Sequence, residues 1–236
     1  ASFFDTGPPR RFPAFAAQAA ERSGSLCPVN SPVNSPEERL ARFGKTLGLE
    51  RRHLATGLGI TALTLLILKT IGRPWWCACG SFIPWSSDIN GSHNSQHFID
   101  PYSVSHFEHG LLFFAFLLLF PRLSLAWRTV GAATLECGWE LLENSSFIID
   151  RYRAATISSD YYGDAVMNSL SDVIFATLGF VFSWLVVRNI KLGWPAWWAT
   201  IALCELGLIF TVKDSLAINV IMLAHPIDAI RVWQAG

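Results

Sequence analysis

Acidic and histidine side chains recur at helical spacing within apolar stretches of this sequence. Glu136, Glu140 and Glu143 lie four and three residues apart, which places them on one face of a helix. The other sets with such a spacing are His106 with His109, and Asp164 with Asn168 and Asp172. Carboxylates and imidazoles together suit Zn, Mn and Fe. The pattern therefore predicts either a metal or proton-handling site, or a hydrogen-bonded network that holds helices together.

Within this polar group we distinguish candidate metal ligands from supporting residues. The candidate ligands are His106, His109, Glu140, Glu143 and Asp164, and the supporting residues are Glu136, Asn168, Asp172, Arg151 and Arg153. A carboxylate at mid-bilayer costs about 2.5 to 3.5 kcal/mol on insertion scales, so these acids should be protonated, paired or bound to a cation. We expect Arg151 or Arg153 to reach one of them, because guanidinium pairs with carboxylate in bidentate geometry.

The elements that position these residues are predicted to be membrane-spanning helices. The sequence is 51% hydrophobic and only 15% charged, against roughly a quarter charged in soluble domains. About five apolar stretches approach the length that crosses the hydrocarbon core. They cover residues 54–71, 104–120, 123–147, 164–187 and 194–212. The sequence therefore predicts an all-α polytopic bundle, with residues 214–236 as a re-entrant or interfacial hairpin.

Basic residues predict the orientation of these spans. With five spans, most Lys and Arg lie on the N-terminal side, which should face the cytoplasm, the matrix or the stroma. The segments 73–103 and 148–163 then lie on the opposite side. On that side the start of the second span and the junction of the third and fourth meet, so the polar sets should converge there. The formal net charge is zero, and nothing indicates nucleic-acid binding.

Residues 1–53 differ from the rest in composition. They are rich in Arg and Pro and lack a strong apolar period, as in an extended tail. We therefore divide the chain into a tail at 1–53 and a transmembrane domain at 54–236. Such a tail cannot bury enough apolar surface to order itself. We expect residues 1–53 to contact other membrane-protein subunits, and lipids to surround the spans.

Cysteines and further histidines cluster in the segment before the second span. Cys77 and Cys79 flank a single residue, an awkward geometry for bridging each other, so we expect them to be buried or free. His93 and His97 lie four residues apart. A helical segment would let these two histidines share a ligand, and a non-helical one leaves them facing solvent or a partner.

Several runs resemble a family of polytopic alphaproteobacterial membrane proteins without an assigned reaction. They are WCACG at 76–80, HNSQH at 93–97, DPYS at 100–103, WELLENS at 139–145 and RYRAAT at 151–156. The resemblance covers about residues 72–234. More loosely, Asp100, His106, the Glu136/Glu140 pair, Asp164 and Asn168 are similar to the polar pattern of VanZ-like membrane proteins. These resemblances imply a fold and a set of polar residues but no reaction.

The bacterial resemblance and the added tail together favour an organellar protein. We expect an accessory structural subunit of a respiratory-chain or ATP-synthase complex in the mitochondrial inner membrane, with thylakoid and bacterial inner membranes as alternative locations. The alternative function is a small membrane enzyme or metal-binding protein that uses the polar group, with a divalent metal as its cofactor. The sequence shows no HExxH or di-iron Glu-x-x-His motif. It therefore favours a non-enzymatic role.

Overall fold

The chain is built from helices joined by one long and several short connections. This is a computed structural model, and it describes residues 43–189 and 193–235. A helical segment at 43–47 precedes eight longer helices in these ranges. They are α1 (Arg51–Thr70), α2 (Ser103–Leu117), α3 (Leu125–Glu143), α4 (Ser146–Ala155), α5 (Val166–Asn189), α6 (Gly193–Val212), α7 (Leu216–Ala224) and α8 (Asp228–Ala235). The predicted all-α class is confirmed.

Serine side chains fix where three of these helices begin. Ser124, Ser145 and Ser215 each accept a hydrogen bond from the backbone amide three residues later, at the starts of α3, α4 and α7. Each bond satisfies an amide that has no partner within its helix. Because Ser145 starts a new helix directly after α3 ends, the segment predicted as one span at 123–147 is divided. The segment 148–163, expected as a loop, contains most of α4.

Helix α5 lies at the centre of the bundle and packs most closely against α2. A Cβ atom at Gly110 would lie 2.7 Å from the backbone nitrogen of Phe180. A Cβ atom at Gly179 would lie 3.2 Å from the Cα of Gly110. Only glycine leaves room for this approach of two backbones, as at the small-residue crossings of membrane helices. The crossing sets the distance between the polar stripes of α2 and α5.

Among the described residues, three helices are long and apolar enough to cross a membrane, judged by length and composition. They are α1, residues Val166–Arg188 of α5, and α6. Helices α1 and α6 expose large apolar side chains such as Leu58, Leu63, Leu203 and Phe210, as helices in contact with lipid do. The other two predicted spans correspond to α2, with 15 residues, and to the glutamate-bearing α3. Their crossing of the membrane stays a prediction.

The segment before α1 packs against the bundle. Leu47 is buried with Phe114, Phe180 and Trp184 in one apolar cluster, and the ring of Phe43 contacts that of Trp184 at a centroid distance of 6.4 Å. Helix α1 then begins at Arg51, after a reciprocal cap between Glu50 and His53. The predicted partner contacts of residues 1–42 lie outside the described residues.

The C-terminal residues form two short helices, α7 and α8. Asp214 and Ser215 precede α7, and Pro226 follows it, as the sequence predicts for a short capped helix. Gln234 Nε2 donates to the carbonyl oxygen of Lys213 at 3.1 Å. The end of α8 therefore returns to the beginning of this hairpin, whose position relative to a membrane stays a prediction.

Candidate functional site

Two histidines of α2 converge on one glutamate of α3. His106 Nδ1 lies 2.5 Å from Glu136 Oε1, and His109 Nδ1 lies 3.1 Å from Glu136 Oε2. Glu136 and His106 are buried, and His109 is nearly so. Histidines one turn apart reach the same carboxylate because residues i and i+3 project from the same face of a helix. The sequence analysis counted Glu136 among the supporting residues, whereas it is the shared partner of both histidines.

Two further acids lie near His106. Glu140 Oε1 lies 3.6 Å from His106 Nδ1, and Asp172 Oδ2 of α5 lies 3.9 Å from His106 Nε2. Neither oxygen of Glu140 has a hydrogen-bond partner within the described residues, although the side chain is fully buried. A buried carboxylate without partners is expensive. We call His106, His109, Glu136, Glu140 and Asp172 the central cluster.

A small polar cavity adjoins the central cluster. Its volume is about 40 Å³, enough for an ion with one or two waters but not for a bulky substrate. Its lining includes His106, His109, Glu143, Asp164, Asn168 and Asp172, together with Asn94 and Ser95 from the segment that connects α1 to α2. The structure therefore brings predicted residues from α2, α3 and α5 to one cavity, whose lining includes Glu143 of the glutamate stripe but not Glu136 or Glu140.

Asp164, a predicted ligand, is held by other side chains. Asn144 Nδ2 donates to Asp164 Oδ2 at 2.7 Å, and Tyr161 Oη donates to Asp164 Oδ1 at 2.9 Å. The backbone amide of Asp164 donates in return to Asn144 Oδ1 at 2.8 Å. This reciprocal pair joins the end of α3 to the residues before α5. Asp164 is therefore a connecting residue at the edge of the cavity, and Asn144 and Tyr161 are its partners.

Asn168 and Asp100 form a further contact across the cavity. Asn168 Nδ2 donates to the carbonyl oxygen of His97 at 2.8 Å and lies 3.4 Å from Asp100 Oδ2. Burial raises the pKa of the Asp100 carboxyl to about 6, although the nearby His106 charge opposes this effect. Asp100 also accepts the backbone amides of Tyr102 and Ser103 at the start of α2. It thereby fixes the turn from which His106 projects.

The prediction for Arg151 and Arg153 is wrong. Arg151 Nε donates to the carbonyl oxygen of Leu223 at 2.7 Å, and Arg153 Nε donates to that of Tyr161 at 2.5 Å. Within residues 43–189 and 193–235 neither arginine forms an ion pair with an acid. Carbonyl groups in the last turn of a helix lack intrahelical partners, and Arg151 satisfies one at the end of α7. The central cluster thus contains no arginine counter-ion.

Sequence reasoning missed residues whose role depends on a single tertiary contact. Asn144 follows the glutamate stripe of α3 directly, and its side chain turns to Asp164 because α3 ends there. Tyr161 lies in a polar segment with no period to indicate its direction. Glu205 of α6 lies outside the cluster and accepts the backbone amide of Ala217 at 3.0 Å. Glu205 therefore satisfies a backbone amide at the start of α7.

These features define an all-α protein with a buried histidine–carboxylate group and, in the described part of the chain, three helices that could span a membrane. Residues 68–236 match the model of a family described as "Protein of unknown function (DUF2585)", and the chain belongs to this family. It is 45% identical over 181 residues to a UPF0314 protein of Paracoccus denitrificans, covering 75% of this chain and 89% of that protein. It is 39% identical over 193 residues to one of Sphingopyxis alaskensis, covering 80% and 98%.

A third relative, the UPF0314 protein RL4541 of Rhizobium johnstonii, is 41% identical over 181 residues, which cover 75% of this chain and 88% of that protein. The resemblance to an alphaproteobacterial family is therefore confirmed. No solved structure matches the chain.

Proposed function

We propose that this chain is a metal-binding membrane protein whose central cluster holds one divalent cation and supports metal-dependent chemistry. The observation that carries the proposal is the convergence of His106 Nδ1 and His109 Nδ1 on Glu136, beside a fully buried Glu140 that has no hydrogen-bond partner within residues 43–189 and 193–235. A cation between these groups would satisfy Glu140 and neutralise part of the buried negative charge.

The residue types suit such an ion, and the 2.5 Å between His106 Nδ1 and Glu136 Oε1 would lengthen if both bound it. Two imidazoles and one carboxylate are the protein ligands of one type of catalytic zinc site, in which water takes the remaining position. Manganese and iron accept the same groups. Asp172 Oδ2 lies 3.9 Å from the other nitrogen of His106, so it contributes negative charge beside the ring and would have to move closer to orient it by a hydrogen bond. A bound ion would lower the pKa of a coordinated water and so supply a nucleophile for hydrolysis.

The competing interpretation is an ion pair that joins helices. A protonated His106 between Glu136, Glu140 and Asp172 would provide such a link, and buried polar contacts between membrane helices are worth about 0.6 to 2 kcal/mol. That interpretation accounts for the short His106–Glu136 contact. It leaves both oxygens of Glu140 without a hydrogen-bond partner among the described residues, next to a cavity that reaches His106, His109 and Asp172. We therefore favour the metal.

The test is replacement of Glu140 by Gln in the full chain, purified in detergent. We expect bound Mn²⁺ or Zn²⁺ at the central cluster to weaken at least about tenfold, while the helical content and elution profile are kept. The matched control is Glu205→Gln, because Glu205 is another acid on an apolar helix and lies outside the cluster. Equal metal affinity of Glu140→Gln and wild type in equilibrium titrations would overturn the proposal.

For the membrane we propose five spans in a bacterial inner membrane. Under this arrangement α2 and α3 cross together with α1, α5 and α6, and the N-terminal residues lie on the cytoplasmic side. The relatives named above are bacterial proteins, which supports this location and leaves the mitochondrial inner membrane without support. We also propose that the loose similarity of Asp100, His106 and Asp164 to the polar pattern of VanZ-like membrane proteins reflects a common arrangement of polar residues in a membrane bundle.

A second candidate function is an accessory subunit of a larger membrane assembly, contacted by residues 1–53. What favours it is that the match to the family model begins at residue 68, so this basic, proline-rich segment lies outside the part that the model covers. Native electrophoresis of membranes solubilised in mild detergent tests it. Comigration with a large complex, lost on deletion of residues 1–41, supports a subunit, and migration as a single chain or a homodimer contradicts it.

A further inference from the structure

Four potential metal ligands meet in the segment that connects α1 to α2, which spans residues 71–102. Cys77 Sγ lies 3.2 Å from His93 Nδ1, and Cys79 Sγ lies 3.8 Å from His97 Nε2. The two imidazoles approach each other, with 3.4 Å between His93 Nδ1 and His97 Nε2. All four ligand atoms lie within 4.8 Å of one another. We call these residues the loop cluster.

The loop cluster was not foreseen, because its histidines were expected to converge only on a helix. The backbone at 91–97 consists of turns and bends, and Ser95 has a positive φ of 56°. His93 and His97 nevertheless face one point, together with both cysteines. Both thiols are free, and they do not bridge each other.

The spacing of the ligand atoms matches a tetrahedral zinc site. Zinc lies about 2.3 Å from cysteine sulfur and about 2.0 to 2.1 Å from histidine nitrogen. A tetrahedron with those bond lengths has edges of about 3.4 Å between two nitrogens and about 3.6 Å between nitrogen and sulfur. The observed 3.4 Å between the imidazoles equals the first value, and the observed 3.2 and 3.8 Å lie on either side of the second.

Surrounding groups orient these ligands. His97 Nδ1 lies 2.7 Å from the carbonyl oxygen of Ile83. Because a carbonyl only accepts, His97 Nδ1 must carry the proton, and the Nε2 lone pair is left facing the cluster. The backbone amides of Cys79 and Ser81 donate to Cys77 Sγ and Cys79 Sγ, each at 3.4 Å, and these contacts hold the two sulfur atoms in position.

We infer that Cys77, Cys79, His93 and His97 form a structural zinc site. Two sulfur and two imidazole ligands in a tetrahedral arrangement select zinc among common divalent ions. Four protein ligands leave no position for substrate, so the ion stabilises the fold of its segment and does not act in catalysis. The site shares no ligand with the central cluster and does not depend on the function proposed for it.

The zinc would hold the segment that lies over the polar cavity. Asn94 and Ser95, between the two histidine ligands, line that cavity. Gln96 Nε2 donates to the carbonyl oxygen of Gly163 at 2.7 Å, and the His97 carbonyl accepts Asn168 Nδ2. Loss of zinc should therefore loosen the cavity wall as well as the segment.

The test is zinc and cobalt binding by the full chain, purified with a non-thiol reductant in mild detergent. We expect one equivalent of zinc that survives Glu140→Gln, is lost in Cys79→Ser and in His93→Ala, and is retained in Cys204→Ser. Cys204 is a free cysteine on α6, outside the loop cluster. Cobalt in place of zinc should give thiolate-to-metal charge-transfer absorption in wild type and in Glu140→Gln, which both retain Cys77 and Cys79. The same absorption should be lost in Cys79→Ser.

A second measurement needs no variant. With zinc bound, Cys77 and Cys79 should resist alkylation by iodoacetamide at native pH, and removal of the metal with a chelator should make them reactive. Mass spectrometry locates the modified residues. Zinc content unchanged in Cys79→Ser, or alkylation of Cys79 that is equal with and without chelator, would overturn the inference. Loss of metal at Glu140→Gln alone would concern the central cluster and leave this site standing.

Discussion

Glu136 occupies the one position from which a single carboxylate reaches both histidines of α2. Its two oxygens lie 2.5 Å from His106 Nδ1 and 3.1 Å from His109 Nδ1, and the ring of Trp139 packs edge-on against His109 at a centroid distance of 5.5 Å. Glu140 lies one turn further along the same face of α3. Glu136 thus fixes the imidazoles, and Glu140 remains available to an ion.

Asp214 lies in a buried turn, where the protonation state of its carboxyl affects the stability of the fold. It lies in the turn before α7 and accepts hydrogen bonds from Tyr102 Oη and from the backbone amide of Ser215, both at 2.9 Å. Burial raises its pKa from 3.8 to about 6, although these hydrogen bonds oppose the shift. The folded state therefore favours the neutral carboxyl more than the unfolded state does.

Replacement of Asp214 by Asn should remove one component of the pH dependence of stability. A raised folded-state pKa gives stabilisation that is complete below about pH 4 and lost as pH rises through about 6. The free energy of unfolding of Asp214→Asn, relative to that of wild type, should thus rise by on the order of 2 kcal/mol between pH 4 and pH 7. Thermal unfolding in detergent at several pH values measures this. The control is Asp160→Asn, at an exposed position, whose stability should change with pH as that of wild type does. The same pH dependence in Asp214→Asn and wild type would contradict the prediction.

Helical spacing predicted that polar stripes of α2, α3 and α5 converge, but it counted Glu136 and Asp172 among the supporting residues. The stripes of His106, Glu140 and Asp172 converge because each lies on the buried face of its helix. The partners of Arg151 and the meeting of Cys77 with His93 could not be predicted. They depend on where helix ends and irregular backbone come to lie, and no sequence period encodes that.

At the scale of elements, the crossing of α2 and α5 holds the polar stripes together. Gly110 lies one residue beyond His109, and Gly179 faces it from α5. Any side chain at this crossing would move α2 away from α5. Because Asp172 lies two turns before Gly179 on α5, such a movement would also separate it from His106.

Gly110→Ala should therefore lower stability by about 1 to 3 kcal/mol, the usual effect of overpacking a close contact. Gly207→Ala is the matched control, since no atom lies within 4 Å of a Cβ at that exposed position of α6. There the exchange should be neutral or stabilise by up to about 1 kcal/mol, because alanine favours helix. Thermal unfolding of both variants in one detergent gives the comparison. Equal losses at the two positions would contradict the role of the crossing.

The apolar stretches predicted the positions of α1, α5 and α6 to within a few residues. The break between α3 and α4 was missed, since the residues around it remain compatible with a continuous helix. The break follows from two local interactions, the Ser145 cap and the Asn144–Asp164 pair. Helix α4 itself is short and mixed in polarity, and its register is set by contacts with the C-terminal hairpin, such as Arg151 with Leu223.

At the scale of the whole molecule, the number of spans decides on which side each connection lies. Five spans place residue 122, between α2 and α3, on the same side as the native Cys27. Three spans, formed by α1, α5 and α6 alone, place residue 122 with residue 87 on the opposite side. Positions 87 and 122 are both exposed.

We expect a membrane-impermeant maleimide, added to intact cells, to modify Ser87→Cys and to spare both Cys27 and Arg122→Cys. After permeabilisation all three positions should react, which is the internal control for accessibility. Mass spectrometry assigns the modified peptides, so the native cysteines can remain in place. Modification of Arg122→Cys together with Ser87→Cys in intact cells would exclude five spans.

The contact between His106 and Glu136 also has a consequence for biosynthesis. Helix α2 has only 15 residues and carries two histidines, and α3 carries three glutamates, so neither would leave the translocon for lipid easily on its own. The two contact residues are 30 positions apart, and a ribosome synthesises a stretch of that length in about 2 to 6 seconds. The nascent α2 would therefore remain next to the translocon until α3 has been synthesised. The two helices would then enter the lipid together as a hairpin.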